Sequence, residues 1–398
     1  SCIDYAKEQN ITIRKNRITA ASTQIDVKTA KAALFPSLSF STSQQVVNRP
    51  YQETSSRVSG SEIISSNSKT SYNGNYGLNA SWTLYNGNKR LKTIQQEKLN
   101  NQVAELDVAT SENNIQESIA QVYIQILYAA ESVKVNESTL QVSIAQRDRG
   151  QELLNAGSIA KSDFAQLEAQ VSTDRYQLVT AQATLEDYKL QLKQLLELDG
   201  ENEMNIYLPA LSDENVLAPL PTKKDVYIRA LSLRPEIEAS KLNVEASELG
   251  IGIAKSSYLP TISLSAGIGT NHTSGSDFTF GEQVKNGWNN SIGLSVSVPI
   301  FNNRQTKSAV QKAKLQYETS MLSLLDEQKT LYKTIEGLWL DANSAQQRYA
   351  AANEKLKSTQ ISYELISEQF NLGMKNTIEL LTEKNNLLQA QQEQLQAK

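Results

Sequence analysis

One cysteine and one histidine among 398 residues remove most metal and nucleophile chemistry at the outset. Cys2 alone cannot build an internal disulfide framework, and His272 without a second histidine cannot supply the usual His-based metal centre. No catalytic constellation takes their place. Ser158-Ile159-Ala160-Lys161 and Ser66-Asn67-Ser68-Lys69 match the S-x-x-K of serine acylases, but neither S-D-N nor K-T-G accompanies them. Gly267-Ile268-Gly269 lacks the third glycine of a dinucleotide loop. No enzyme activity, cofactor or metal is therefore expected. Charge of one sign is also missing: 39 Lys and Arg are scattered among 43 Asp and Glu, for a net charge of −4 and pI ≈ 5.4, with no basic tail or cluster to hold nucleic acid. Mean hydropathy is −0.43 and no run of 18 apolar residues occurs, which excludes a helical membrane span. The start of the chain lacks a basic-then-apolar leader, so any export signal is expected to have been removed. A membrane role would fall to β-strands.

What is present is a duplication. Leu34-Phe35-Pro36-Ser37-Leu38 recurs as Tyr258-Leu259-Pro260-Thr261-Ile262, the prolines 224 residues apart. Thr83-Leu84-Tyr85-Asn86-Gly87-Asn88 is answered by Pro299-Ile300-Phe301-Asn302-Asn303-Arg304, and Asn155-Ala156-Gly157 by Asn371-Leu372-Gly373, both at an offset of 216. A constant offset over the second interval means that the helical stretch between strand and glycine has one length in both halves. We expect a first repeat over 1–199, with strands near 36–48 and 72–85, a connecting segment over 200–225, and a second repeat over 226–398, with strands near 259–270 and 288–301. The connecting segment carries Pro209, Pro219 and Pro221 and no sustained period.

The four strand segments alternate with period 2. Their even positions are apolar, among them Leu38 and Phe40, Leu78, Trp82 and Leu84, Leu264 and Ile268, Leu294 and Val296; the odd positions are Ser, Thr, Asn or Gly. A soluble sandwich would show similar alternation. Uncharged small residues on the polar face and aromatics toward the strand ends fit a membrane barrel better, with Leu78, Trp82, Leu264, Leu294 and Val296 facing lipid and the odd residues a lumen. Four strands cannot close a barrel, and open edges are excluded from lipid, so several chains must pool their strands. The polar segments from about Gln44 to Ser71 and from about Thr270 to Asn286 read as rim loops, with His272 an exposed loop residue.

From Asn88 to Arg149 the chain runs without Gly or Pro, enough for a single helix of roughly 90 Å. Ile115, Ile119, Val122, Ile126, Ala129 and Val133 form a heptad seam, repeated at Leu331, Ile335, Leu338, Ala342, Ala345 and Tyr349. A returning helix carries Phe164, Leu167, Val171, Leu178, Leu185, Leu192 and Leu196. Gly157 and Gly373 each close a long helix, where a left-handed glycine can end it, and an acid follows six residues later in both, Asp163 and Glu379. By themselves these acids are first-turn residues favoured by the helix dipole. Cys2 has two readings, a lipid attachment site or an ordinary helical cysteine; Ile3, Ala6 and Ile13 continue a helical pattern matched by Ile228, Ala230 and Ile237, which favours the second.

Taken in order, helix, Pro-initiated strand, loop, strand, long helix, glycine tip and returning helix, twice over, the chain resembles the TolC-like outer membrane factors across nearly all its length. The resemblance implies a mainly α protein with membrane β-structure: a homotrimer whose twelve strands form one outer-membrane barrel, continuous with a long α-helical barrel in the periplasm of a Gram-negative bacterium. It implies outer membrane lipids, a periplasmic adaptor and an inner-membrane pump as partners, no nucleic acid, and the role of exit duct in a tripartite efflux pump or type I secretion system. The gate would lie at the helical tips. Phe370 falls where the family often has Tyr, Lys375 where an Arg link sits, Asp163 and Glu379 on acidic ring positions, and Thr382 where some relatives carry a further carboxylate. An interchain contact from Lys375 to Asp163 would then help to close the tips. A periplasmic adaptor or another coiled-coil structural protein is the alternative, but neither needs four alternating strands placed before long helices.

Overall fold

The computed structural model describes residues 2–51, 69–199, 206–209 and 216–398, and the strand backbones at 55–59 and 62–66. Asn67 and Ser68 of one S-x-x-K run, and 200–205 and 210–215 of the connecting segment, lie outside the described residues. The first half runs α1 (Cys2–Gln9), α2 (Ile11–Ala32), β1 (Ser37–Asn48), β2 (Ser55–Ser59), β3 (Glu62–Ser66), β4 (Thr70–Asn86), α3 (Lys89–Asn155) and α4 (Lys161–Leu195). The second runs α5 (Lys223–Leu233), α6 (Pro235–Ser256), β5 (Thr261–Thr273), α7 (Phe280–Asn286), β6 (Asn289–Ser297), α8 (Gln305–Asn371) and α9 (Thr377–Ala397). Both α3 and α8 have 67 residues, and both α2 and α6 have 22, as the fixed offsets require. Among the described residues no helix is long and apolar enough to cross a membrane.

Two compact units emerge, and neither follows a half of the chain. One collects Thr19–Ala104 and Ala239–Leu324, the other Ser1–Ile18, Glu105–Glu238 and Leu325–Lys398.

The first of these units contains the sheet, antiparallel in the order β1-β4-β5-β6, so that strands of the two halves pair at β4 and β5. Register keeps parity across all four strands. Leu38, Ala80, Ala266 and Ile292 form one row, and Trp82, Leu264 and Leu294 another. The opposite face carries Ser37, Ser81, Ser265 and Gly293 in one row and Ser39, Asn79, Gly267 and Ser291 in the next. Hydroxyls and amides link neighbours there, as between the Ser37 and Ser81 Oγ atoms at 2.8 Å and from Asn79 Nδ2 to Ser41 Oγ at 3.3 Å. One face is therefore apolar and the other a hydroxyl and amide surface, with strand edges open at β1 and β6.

Three expectations need correction here. The even-number rule fails at Leu84, because a bulge between Thr83 and Tyr85 inserts that residue and pairs Tyr85 with Ile262, moving Tyr85 onto the apolar side. β6 ends at Ser297 rather than near 301, just before Pro299, whose nitrogen has no hydrogen to donate to a ladder. The rim segments are not loops throughout: β2 and β3 form a hairpin, and α7 opens on a capping box in which Thr279 Oγ1 accepts from the Glu282 amide and Glu282 from the Thr279 amide. His272 accordingly sits in β5, half-buried, its ring stacked on Tyr76 at 5.8 Å and met edge-on by Phe280 at 5.1 Å. Gly74 lies opposite it, and a Cβ there would fall 2.1 Å from the imidazole.

The strand-to-helix corner is the same twice. Gly87 and Asn88 have φ of 67° and 62°, and Asn303 and Arg304 have 50° and 65°, two successive left-handed residues before α3 and before α8. Arg90 then gathers the corner, donating to the Ala33 carbonyl at 2.6 Å and to the Thr83 carbonyl, while Trp82 Nε1 donates to the Leu34 carbonyl at 2.7 Å.

The second unit is helical. Asn10 separates α1 from α2 by accepting the Thr12 amide at 2.9 Å on its side chain. Ala6, Ile119, Ile126, Leu192 and Leu196 form its core cluster, so the heptad seam of α3 is covered by α1 and α4. Each fully buried Ile or Leu there contributes about 1.5–3 kcal/mol. Cys2 lies in α1 and is exposed. What is described of the connecting segment is tied to the long helices: Gln346 Nε2 donates to the carbonyls of Val216 and Ala218 at 3.0 and 2.7 Å, Trp339 Nε1 to Pro221 at 3.0 Å, and the Tyr123 hydroxyl to Tyr207 at 2.8 Å.

Candidate functional site

The two helical turns expected to act as a gate lie in the helical unit. At the first, α3 ends as the Gly157 amide donates to the Leu154 carbonyl at 3.0 Å and the Ser158 amide to Leu153 at 2.8 Å. At the second, the Gly373 amide donates to Phe370 and the Met374 amide to Gln369, both at 2.9 Å. Both glycines have φ of 73°. This is the Schellman arrangement, in which a left-handed glycine satisfies the last free carbonyls of a helix.

The helices that follow are capped differently. Asp163 reaches back to accept the Ala160 amide at 3.3 Å, but Ala160 has no side-chain acceptor to complete the box. In α9 the box is complete: Asn376 Oδ1 accepts the Glu379 amide at 2.9 Å and Glu379 accepts the Asn376 amide at 3.2 Å. Lys375 Nζ adds a 2.6 Å contact to Glu379. Its hydrogen bond, and secondly the Asn376 amide, hold the Glu379 carboxyl below the ordinary carboxylate range.

Phe370 is buried at 3% exposure on the last turn of α8, whereas Leu372, Met374 and Ile378 around the tip are exposed. Thus Lys375 and Glu379 are brought together within one chain, and Asp163 serves its own helix. Thr382 donates its hydroxyl back to the Ile378 carbonyl, and Glu383 accepts from Ser362 at 3.0 Å, facing α8. Of the other sequence-derived residues, Leu78, Trp82, Leu264, Leu294 and Val296 share the apolar face of the sheet, with Leu294 64% exposed.

Sequence reasoning missed the most buried charge. Lys384 of α9 is ion-paired to Asp174 of α4, and Ser143 of α3 hydrogen-bonds to both, with side-chain exposures of 4% for Lys384 and 3% for Asp174. Gln170 Nε2 donates to the second Asp174 oxygen at 2.8 Å. Burial pushes the Lys384 ammonium below the usual lysine range, and Asp174 opposes that shift. Three helices are therefore joined through one satisfied ion pair. A second link between helices runs from Gln146 Nε2 on α3 to the Tyr363 hydroxyl on α8 at 2.9 Å, and burial raises that phenol above its ordinary range. Near the first tip, Gly150 lets α4 approach α3: a Cβ there would meet Leu167 Cδ1 at 2.4 Å.

Comparison with known proteins agrees with this architecture. The chain is 24% identical over 282 residues to the outer membrane efflux protein BepC of Brucella suis biovar 1 (strain 1330), a match covering 70% of this chain and 59% of BepC. It is 23% identical over 300 residues to outer membrane protein TolC of Escherichia coli (strain K12), covering 73% of this chain and 59% of TolC. The matches thus span less than two thirds of these relatives' length. The fold superposes on the channel CusC with a TM-score of 0.83 at 19% identity, covering all of this chain and 87% of CusC. It superposes on outer membrane protein VceC of Vibrio cholerae with a TM-score of 0.81 at 16% identity, covering all of this chain and 91% of VceC. The family described as outer membrane efflux protein matches residues 2–197 and 226–398, leaving out the first residue and 198–225, which include the connecting segment. The chain belongs to the outer membrane efflux protein family, whose place is the outer membrane of Gram-negative bacteria.

Proposed function

We propose that three copies of the chain pool their strands into a 12-stranded barrel, continuous with an α-helical barrel, and act as the exit duct of a tripartite efflux pump or type I secretion system. The single observation that carries this is the sheet: four strands, both edges open, one face apolar and the other uncharged and hydrophilic. Backbone groups on an open edge cannot remain unpaired in hydrocarbon, so each edge must meet an edge of another copy. Residues 1–199 and 226–398 are then two repeats of one unit, joined by 200–225.

In this assembly Leu78, Trp82, Leu264, Leu294 and Val296 face lipid, and the serine rows face the lumen. Gly157, Asp163, Phe370, Gly373, Lys375 and Glu379 form the gate. The exposed Leu372, Met374 and Ile378 give a periplasmic adaptor an apolar contact at the second tip, and the adaptor links the duct to an inner-membrane pump. Lys375, held by Glu379 in its own chain, would be drawn toward Asp163 of a neighbouring copy on closure.

Light scattering corrected for detergent is expected to give a mass of three chains; a monodisperse, detergent-free monomer overturns the barrel. Single-channel recording tests the gate. Lys375→Glu sets like charges together and is expected to lengthen or enlarge openings, and Glu379→Gln to weaken block by multivalent cations from the tip side. If both variants conduct as the parent does, closure rests on packing around Phe370 instead.

A further inference from the structure

The two ends of the sheet differ in charge. At one end β1 begins at Ser37, β4 ends at Asn86, β5 begins at Thr261 and β6 ends at Ser297, with Asn86 paired to Thr261 and Thr261 to Ser297. The segments that leave this end lead to α2, α3, α6 and α8. The sequence has no Asp or Glu over 27–52, 63–96, 249–276 or 283–317, although the chain as a whole carries a net charge of −4. Uncharged strands explain the middle of those runs, but not why their helical ends hold Lys28, Lys31, Lys89, Arg90, Lys92, Lys255, Arg304 and Lys307. The opposite end is mixed, with Arg49, Lys69 and Lys285 beside Asp277 and Glu282.

Two of these cations have structural work. Arg90 donates to backbone carbonyls of Ala33 and Thr83, and Lys92 to the carbonyl of Gly252 at 3.3 Å. The other six, Lys28, Lys31, Lys89, Lys255, Arg304 and Lys307, are exposed, and among the described residues none forms an ion pair. Six like charges at one end of a sheet with no carboxylate among them repel one another unless an outside anion joins them. Phe35, Tyr258 and Phe301 are exposed in the same segments, as aromatic side chains are at a membrane–water interface.

On the barrel reading above, we propose that this end is a collar for anionic phospholipid, the six cations holding headgroup phosphates of the leaflet they meet. Lysine and arginine suit the position because their stems lie along apolar surface while the charged ends reach the headgroups. Each such side chain is worth about a fivefold gain in affinity for an anionic lipid surface. A three-copy assembly multiplies the collar around the barrel, and the attraction falls with salt as the screening length shortens.

The test is lipid retention by the purified assembly in neutral detergent. It is incubated with phosphatidylglycerol or phosphatidylcholine, and bound lipid is counted by native mass spectrometry. The parent is expected to retain phosphatidylglycerol several-fold over phosphatidylcholine and to lose that preference in about 1 M salt, where the screening length is about 3 Å. Lys31→Gln, Lys89→Gln, Lys255→Gln and Lys307→Gln combined are expected to abolish the preference with assembly mass unchanged. The pairs Lys31→Gln/Lys89→Gln and Lys255→Gln/Lys307→Gln should each lose part of it, should the fourfold variant not assemble. Arg49→Gln, Lys69→Gln and Lys285→Gln at the other end should leave it intact. Equal retention of both lipids by an assembled parent overturns the collar and spares the barrel; failure of the parent to assemble in detergent overturns both. A fourfold variant that keeps its lipid but shifts the reversal potential in a planar bilayer places the charges in the lumen and also overturns the collar.

Discussion

The two glycine turns share a backbone and differ in chemistry. Gly157 and Gly373 have the same φ and the same pair of capping bonds, yet the first turn leads to Ala160 and a half-made box, the second to Asn376, Glu379 and Lys375. Their returning helices differ as well. Lys384 buries its charge against Asp174 of the other hairpin, while Glu168, which stands at the equivalent place in α4, is exposed. The turns share a shape and differ in their polar side chains, which load the second hairpin and anchor it to the first. Shape and switchable charge are separate properties of this chain.

The largest break in the comparison is at the anchor. Lys384→Met leaves Asp174 buried and unpaired and is expected to cost about 3–5 kcal/mol, whereas Lys384→Met with Asp174→Leu should recover most of that, since an apolar pair can replace a buried ion pair. Glu168→Met, its counterpart on the first hairpin, should change stability by no more than about 0.5 kcal/mol. Denaturant or thermal unfolding of the three variants measures the contrast, and equal losses at 384 and 168 would erase it.

Next comes the shared backbone. A Cβ at either tip glycine would meet nothing within 4 Å, so Gly157→Ala and Gly373→Ala bear only the left-handed strain, about 1–2 kcal/mol each. Equal losses confirm that the turns are alike. A larger loss at one of them would reveal a contact made only in the assembly.

Capping sharpens the difference. Asn376→Ala is expected to cost about 1 kcal/mol, and Ala160→Asn, at an extended residue already suited to the position, to gain a similar amount by completing the first box. The smallest effect is electrostatic. Because the folded Glu379 carboxyl is depressed, its contribution is complete above the ordinary carboxylate pKa of about 4.3 and is lost as pH falls through the lower folded value. Lys375→Gln should move that titration back toward the ordinary range, a shift readable by carboxyl NMR.

Legibility in the sequence followed the reach of each interaction. Pro36 and Pro260, the alternation after them and the run from Asn88 to Arg149 without Gly or Pro are local signals, and the strands, apart from the end of β6, and the long helices stand where those signals put them. Leu84 misled because periodicity cannot show that one residue will be squeezed out of register. The short helix α7 was announced by Thr279-Phe280-Gly281-Glu282, a box hidden in a segment otherwise polar enough to read as loop. Lys384, Asp174 and Ser143 lie on helices far apart in the chain, and a charge on a helix ordinarily marks a solvated face. Only the packing of three helices turns them into a site.

If copies pool their strands as proposed, the open edges at β1 and β6 also constrain the order of events by which the chain matures. A lone copy entering a bilayer would carry two rows of unpaired amides and carbonyls into hydrocarbon, so meeting its siblings has to precede insertion or coincide with it. Until then the same edges are templates for wrong pairings. On the proposed barrel, maturation is at least second order in chain concentration, and a dilute nascent chain would face a waiting time in which escorts or proteases compete for it. No charge stands in β1 or β6 to discourage mispairing, so the yield of the proposed barrel would be set by how fast the right neighbours arrive.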